Sequence, residues 1–380
     1  MRLFHVKLVI MLVVVFVVLV ENIKVYEENS NIVLGIIVFF CSLAKENRKN
    51  VTQRIEVDLS HIDTVKISAS RMINLETVDS SLLYDICALF KQDDRYFIWS
   101  RDNAYVFNDK GDFLFNISCK GQGPGEYLSF GCMFMEDGEV CIFDQDKQQI
   151  LRFDINGKFM GVQKVLLDED APSPSMIIPI GTERYLSTNR FGGDYRKMPV
   201  LSFWNKDFSS QQIVKGRFMN DGIHFPDAFF VGEEGRRVLY WEPLKDTLFT
   251  VTDNFLVPEY KIDFGTYAIP EEEGAKDIYA RIMYLNKPEN QSCASVARFY
   301  QIDGYYIYFT FMWYDRVYLC RYSEKTKKSE IFAILTDEMQ LKECSFFKIL
   351  GDDIVIAFED KGNLEKNPSL CVFNKKILDI

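Results

Sequence analysis

Residues 106–111, Val106-Phe107-Asn108-Asp109-Lys110-Gly111, set the apolar end of a strand against a polar turn closed by glycine, and the arrangement returns at Arg152-Phe153-Asp154-Ile155-Asn156-Gly157. A third copy is Phe203-Trp204-Asn205-Lys206-Asp207. Weaker copies follow at Phe249-Thr250-Val251-Thr252-Asp253, Arg321-Tyr322-Ser323-Glu324 and Val372-Phe373-Asn374-Lys375. Anchored on Phe107, Phe153, Trp204, Val251, Tyr322 and Phe373, the successive intervals are 46, 51, 47, 71 and 51 residues. Six copies at about 50 residues mark a repeat architecture.

Between the anchors, from residue 54 onward, short apolar, aromatic and β-branched runs are punctuated by turn dipeptides such as Asp137-Gly138, Glu234-Gly235 and Asp303-Gly304, the pattern of antiparallel hairpins. A unit of that length with about four short strands matches a propeller blade, whose faces are buried by its neighbours around a central channel. The fold class is therefore all-β, a six-bladed β-propeller. The alternative, two separate β-sandwiches, needs a linker near the middle, and the regular spacing leaves no place for one. The 71-residue interval is explained by one inserted helix near residues 270–287. Pro270-Glu271-Glu272-Glu273 suits a first helical turn, Ile278, Ile282 and Leu285 fall on one face, and Lys287-Pro288 stops the run. Ring closure is expected to join the ends of the chain. Thr52–Leu59 alternates, with Ile55, Val57 and Leu59 on one face, and the last unit has one clear strand too few, so this N-terminal strand is expected to complete the last sheet.

The 380 residues are 48% hydrophobic and 26% charged, enough apolar material for a large core. Net charge is −11, and residues 1–40 carry three charges of each sign, so the deficit lies beyond them. No basic footprint for displacing counterions from phosphates is available, which excludes a nucleic-acid binder.

Residues 1–50 read as an export signal or membrane-anchor region, leaving 51–380 as the propeller. Arg2 and Lys7 precede the uncharged run Leu8 to Val20, the length of a signal-peptide core. A second apolar run, Ile32 to Ala44, gives way to the polar Lys45–Asn50. Val38-Phe39-Phe40-Cys41-Ser42 is similar to a lipobox with Cys41 as the lipidated residue, although Phe40 departs from the small residue such a motif carries there. An ordinary secretory signal, a paired anchor, or a true signal starting near Asn29 would export the remainder equally. The expected address is the periplasm or outer membrane.

Nine cysteines occur without any CxxC, which removes the zinc-ribbon and thioredoxin signals. Cys141, Cys320 and Cys371 sit in β-patterned runs and read as core thiols.

The stretch from Tyr96-Phe97-Ile98-Trp99 through Gly111-Asp112-Phe113 and Gly121-Gln122-Gly123-Pro124-Gly125-Glu126-Tyr127 resembles the bacterial six-bladed β-propeller family akin to NHL-repeat propellers. The next unit, Asp137 to Gly157, is similar to a single NHL repeat. This resemblance implies the propeller fold over roughly residues 54–380 and an exported chain, often a lipoprotein; it implies no particular activity.

Histidine is scarce: His5 lies in the export segment, leaving His61 and His224, neither in a nucleophile motif. HExxH, the P-loop and the dinucleotide-binding glycine pattern are absent. Asp144 and Asp146 resemble a blade turn more than a calcium loop, since no glycine or closing glutamate follows at the required spacing. The Gly121–Tyr127 loop reads as an inter-blade joint, with a ligand-contacting rim loop as the alternative. The candidate ligand-binding residues are Gln122, Glu126 and Tyr127 in this loop, His224 beside Pro226, and Trp313 and Arg316, where the aromatics Trp313-Tyr314 near Asp315-Arg316 could stack on a sugar or peptide or equally be propeller core. The expected function is a non-catalytic binding or scaffold module, monomeric, for a peptide, glycan or envelope protein, with no cofactor and a membrane link through the N-terminal anchor. The alternative is a propeller hydrolase or lyase, lactonase-like or amidating-lyase-like, with calcium or another metal in the central channel.

Overall fold

The computed structural model describes residues 52–67, 72–166, 174–189, 199–218, 229–231, 237–241, 244–274, 276, 278–314, 316–336, 344–358 and 365–379. Residues 52–380 form one compact unit, a ring of six sheets. Blade one is β4 (Ala88–Gln92), β5 (Arg95–Ser100), β6 (Asn103–Asn108) and β7 (Phe113–Ile117); blade two is β8 (Phe130–Glu136), β9 (Glu139–Asp144), β10 (Gln149–Phe153) and β11 (Phe159–Lys164). Blade three is β12 (Pro174–Ile180), β13 (Arg184–Asn189), β14 (Pro199–Asn205) and β15 (Gln211–Phe218). Blade four is β16 (Phe229–Val231), β17 (Val238–Trp241), β18 (Thr247–Val251) and β19 (Leu256–Asp263). Blade five is β20 (Ser295–Asp303), β21 (Tyr306–Trp313), β22 (Arg316–Ser323) and β23 (Lys328–Thr336). Blade six is β24 (Cys344–Leu350), β25 (Asp353–Phe358) and β26 (Ser369–Asn374), completed by β3 (Met72–Asn74).

The six sequence anchors land in the third strands of successive blades. Phe107, Phe153, Trp204, Val251, Tyr322 and Phe373 are all buried. The repeat is legible in sequence because each blade must wedge one large side chain of its third strand between its neighbours. Seven described cysteines are free thiols, and Cys132, Cys141, Cys320 and Cys371 are buried in the sheets. Burial pushes the Cys132 and Cys141 thiols up to about 12, so they behave as small hydrophobes.

Ring closure differs from expectation. The strand that completes blade six is β3, antiparallel to β26, and not the earlier alternating segment. That segment, β1 (Gln53–Glu56), pairs in parallel with β19 on the outer edge of blade four, while β2 (Asp63–Ile67) does the same with β23 of blade five. The burial inferred from alternation is correct, since Ile55, Val57 and Leu59 are at most 7% exposed. Alternation identifies which face of a strand is covered; it carries no information about which sheet edge does the covering. The incoming chain thus runs along three consecutive blades before closing the ring. At the closing seam Gly111 is obligatory: its φ is +95°, and a Cβ there would lie 2.3 Å from the Asn74 carbonyl oxygen of β3.

The inserted helical segment is two short helices, α1 (Glu271–Gly274) and α2 (Ile278–Leu285). The Arg281 guanidinium, 1% exposed, donates to the carbonyls of Lys276 (2.5 Å) and Gly274 (3.4 Å), satisfying backbone acceptors left open at the break. Arg281 is thus the inward residue of α2, while Ile282 is 40% and Met283 66% exposed.

Candidate functional site

Hairpins joining first to second and third to fourth strands lie on one face of the ring, called here the hairpin face. The turns between second and third strands, and the crossings between blades, lie on the other. The two faces carry different chemistry.

On the hairpin face a polar side chain at the first hairpin of one blade reaches the second hairpin of the next. Arg95 donates to the Ile155 carbonyl (2.8 Å) and to Asn156 (3.0 Å), bridging blades one and two. Glu136 accepts from Lys206 across blades two and three, Arg184 pairs with Asp253 (2.7 Å) across three and four, Arg237 with Glu324 (2.7 Å) across four and five, and Lys375 with Asp303 (2.7 Å) across five and six. The second-hairpin partner always lies two residues past the third-strand anchor, whereas the first-hairpin partner is an arginine at the entry of the second strand in blades one, three and four and an acid at the end of the first strand in blades two and five. Around Glu136 the cluster also includes Arg152 (2.6 Å) and the Tyr185 hydroxyl (2.6 Å). Burial raises the Glu136 carboxyl, but donation from Lys206, Tyr185 and Arg152 outweighs it and holds the group below its ordinary value. Burial, with Glu136 as acceptor, pushes the Tyr185 phenol far upward, so it remains a proton donor. These clusters satisfy themselves and join blades.

The opposite face is built differently at blades four and five. After β19, a single 3-10 turn (Gly265–Tyr267) leads into the insertion, which returns to blade five at Ala294. The Ala294 amide donates to the Tyr267 carbonyl (2.7 Å), pinning the two ends of the insertion together. This places the Tyr267 ring edge-on to Trp313, with centroids 5.3 Å apart, at the end of β21. Trp313 donates its indole N–H to the Ser292 carbonyl (3.2 Å) and lies 5.0 Å from Tyr314. By contrast Trp99 and Trp241, near the ends of the second strands of blades one and four, are buried and donate to carbonyls of their own turns, Arg101 and Lys245. Trp313, half-buried, turns instead toward the insertion and forms a platform with Tyr267 (37% exposed) and Tyr314 (53% exposed). Tyr314 has φ +47°, a left-handed conformation that disfavours a bulky side chain. Next to the platform a cavity of about 390 Å³ opens between the outer strands of blade four, the insertion and the start of β20, with Lys245, Asp246, Lys261, Asp263, Glu271 and Ser295 among its polar lining.

Of the residues singled out in the sequence, Trp313 and Arg316 face each other across the β21–β22 hairpin, and Arg316 is exposed. Gln122, Glu126 and Tyr127 lie in the joint between blades one and two and are not brought to that hairpin. There Glu126 accepts from the Gly123 amide (2.7 Å), while Lys147 donates to the carbonyls of Gly121 (3.1 Å) and Glu126 (2.8 Å). Tyr127, 1% exposed, donates to the Asp102 carbonyl (2.5 Å); only Gln122 of the three is open to solvent. Gly125, with φ +77° and packed on the Phe159 ring, lets the loop turn tightly against blade two. His224 and Cys41 lie outside the described residues. His61 is exposed in a local turn with Asp58 (3.2 Å) and Ser60 (2.8 Å). Asp144 is fully buried and accepts from the amides of Leu128, Ser129, Asp146 and Lys147, which makes it the organiser of a blade turn. Among the described residues no three His, Cys, Asp or Glu side chains converge as a metal site. Sequence reasoning missed Tyr267 and the cavity, because both exist only where the insertion folds back on blade five.

Strand order and ring closure define a six-bladed β-propeller. The chain belongs to the family described as a domain of unknown function, DUF4934, which matches residues 47–338. Comparison with curated proteins gives no match. Among solved structures the chain is similar to a Bacteroides fragilis protein inferred to be exported, at 18% identity and TM-score 0.56, covering 85% of this chain and 100% of that one. It is also similar to a member of the DUF4221 family from Bacteroides vulgatus, at 10% identity and TM-score 0.54, covering 83% and 99%. At these identities the likeness concerns the fold alone. No helix among the described residues is long and apolar enough to cross a membrane.

Proposed function

We propose that this protein is an exported binding propeller of the cell envelope, held there through its N-terminal region, with Cys41 as the lipidation point. Its ligand surface is the face of blades four and five that carries Tyr267, Trp313 and Tyr314, and the ligand is a glycan or peptide chain that offers flat apolar surface to these rings. The observation that carries this reading is Tyr314: an exposed aromatic occupies a left-handed turn position that Gly or Asn would fill with less strain. Such a ring adds nothing to the core, so its value lies in what it meets outside.

The test is a panel of oligosaccharides and peptides titrated against full-length protein, read by tryptophan fluorescence. Binding by at least one probe, weakened tenfold or more by Trp313→Ala in a folded variant, is expected; a tenfold loss corresponds to about 1.4 kcal/mol, within the range of one stacking contact. A ligand whose affinity ignores Trp313 and Tyr314 overturns the assignment of the face. Cell fractionation adds a separate check: Cys41→Ser should release the protein from membranes, and unchanged association removes the lipidation point.

A further inference from the structure

The cavity beside the platform narrows the ligand class; this inference rests on the binding reading above and deepens it. Its charged groups are balanced. Lys245 and Lys261 stand against Asp246, Asp263 and Glu271, and Arg54 pairs with Asp263. Lys261 is 3.6 Å from Asp246, Thr247 donates to Asp246 (2.9 Å), and the Gly265 amide donates to Asp263 (2.9 Å). The lining itself carries two cations and three acids, and Arg54, pairing with Asp263 from outside it, brings the count to three and three, leaving little net charge to favour a charged ligand. These groups do place donors and acceptors side by side, and a hydroxyl is a donor and an acceptor at once. Apolar side chains, Phe249, Ile262, Phe264 and Val296, supply the remaining wall. A ligand with an apolar C–H face and a rim of neutral hydroxyls matches both halves.

The volume of about 390 Å³ lies in the range of small-ligand sites, ~300–1,000 Å³. Position adds the connection. The bridge between Ala268 and Ala294 separates the cavity from the platform: Ala268 lines the cavity, and its neighbour Tyr267 begins the row of rings.

We propose that the cavity holds the terminal unit of a neutral oligosaccharide while the next unit stacks on Tyr267, Trp313 and Tyr314. A peptide is the less suitable occupant, because its termini are charged and its backbone amides lack the paired hydroxyls that the Asp246 and Lys261 wall can grip together.

The experiment uses full-length protein and four probes: maltotriose, mannotriose, an oligogalacturonate of equal length and a proline-rich peptide, each titrated against wild type, Asp246→Asn, Thr247→Trp and Trp313→Ala. Thermal unfolding of each variant checks that it is folded. At least one neutral trisaccharide should bind more tightly than the acidic oligosaccharide and the peptide. Asp246→Asn should weaken that binding about tenfold, as loss of a charge-assisted hydrogen bond does. Thr247→Trp, which fills the cavity, should abolish it. If Trp313→Ala weakens binding and both cavity variants leave it unchanged, the platform stands and the cavity proposal is overturned. Binding lost in the cavity variants but untouched by Trp313→Ala refutes the shared site, leaving a monosaccharide pocket. Preference for the acidic oligosaccharide or the peptide contradicts the neutral-ligand assignment, and no binding by either neutral trisaccharide overturns the proposal.

Discussion

The junction between blades two and three and the junction between blades four and five are held by related contacts on the hairpin face and built differently on the other. Glu136 meets Lys206 at the first, and Arg237 meets Glu324 at the second, with the charges exchanged and the first-hairpin partner on the other strand, Glu136 ending β8 and Arg237 preceding β17. Tyr185 and Tyr260 each serve the local cluster as a hydroxyl partner. What the two junctions share is a pair; sign and strand are free, as expected when the contact joins blades and recognises nothing outside them. The junctions diverge on the opposite face, where, among the described residues, four and five are the pair joined by a helical insertion, with its cavity and exposed rings. That junction is also braced from outside by β1 and β2, which bond to blades four and five respectively. The proposed ligand face is thus accompanied by extra strand pairing on the blades that carry it.

The largest effect should come from removing that bracing. Deleting residues 52–60 exposes the surface covered by Ile55, Val57 and Leu59, and three buried aliphatic side chains correspond to a loss of about 4 kcal/mol. Hydrogen exchange should rise in β19 while blades two and three keep their protection; a uniform rise would show that the bracing is not local. Next comes Glu136→Ala, which leaves Arg152 and Lys206 without their shared carboxylate in a site where Glu136 is 8% exposed, and should cost about 3 kcal/mol in urea unfolding. Arg237→Ala at the more open equivalent site should cost less, about 1–2 kcal/mol, because its side chain is 28% exposed and partly screened. Equal losses would mean that burial does not set the difference between the junctions.

The acid limb sharpens the comparison further. Glu136 is held below its unfolded value, so its contribution is fully present above about pH 4.3 and is lost as pH falls through the lower folded value. Glu136→Gln should flatten the stability profile below that pH, whereas an unchanged slope would assign acid unfolding to other carboxylates. The smallest effect has the opposite sign. Tyr314→Asn relieves the left-handed strain and should raise stability by about 1 kcal/mol while weakening ligand binding. Loss of stability in this variant would mean that the ring is part of the packing.

The propeller was readable because a blade needs one large third-strand residue at each repeat, and Phe107, Phe153 and Phe373 announce that need in the chain itself. Closure was half readable. Ile55, Val57 and Leu59 showed their covered face, but a parallel partner such as β19 leaves no mark in the sequence of the strand it covers. The candidate site was the least legible part. Trp313 and Arg316 stood out as a hairpin pair, yet Tyr267 lies 46 residues before Trp313 and joins it only through the backbone bond between Ala294 and Tyr267. The Gly121–Tyr127 loop was legible as an inter-blade joint from its glycines, and the Tyr127 hydroxyl, turned into the Asp102 carbonyl of blade one, fits that reading. The hairpin contacts escaped notice because the first-hairpin partner is an arginine at the second strand in blades one, three and four but an acid at the end of the first strand in blades two and five, so no one position carries the pattern around the ring.

The most direct test of the ligand face is a hydrogen–deuterium exchange footprint of the full-length protein with and without a saturating neutral oligosaccharide. The account predicts protection confined to residues 244–247, 264–269, 292–296 and 312–316, with the hairpins around Glu136 and Lys206 unchanged. Protection centred on those hairpins, or on the inner strands β4, β8 and β12 that line the ring, would contradict it.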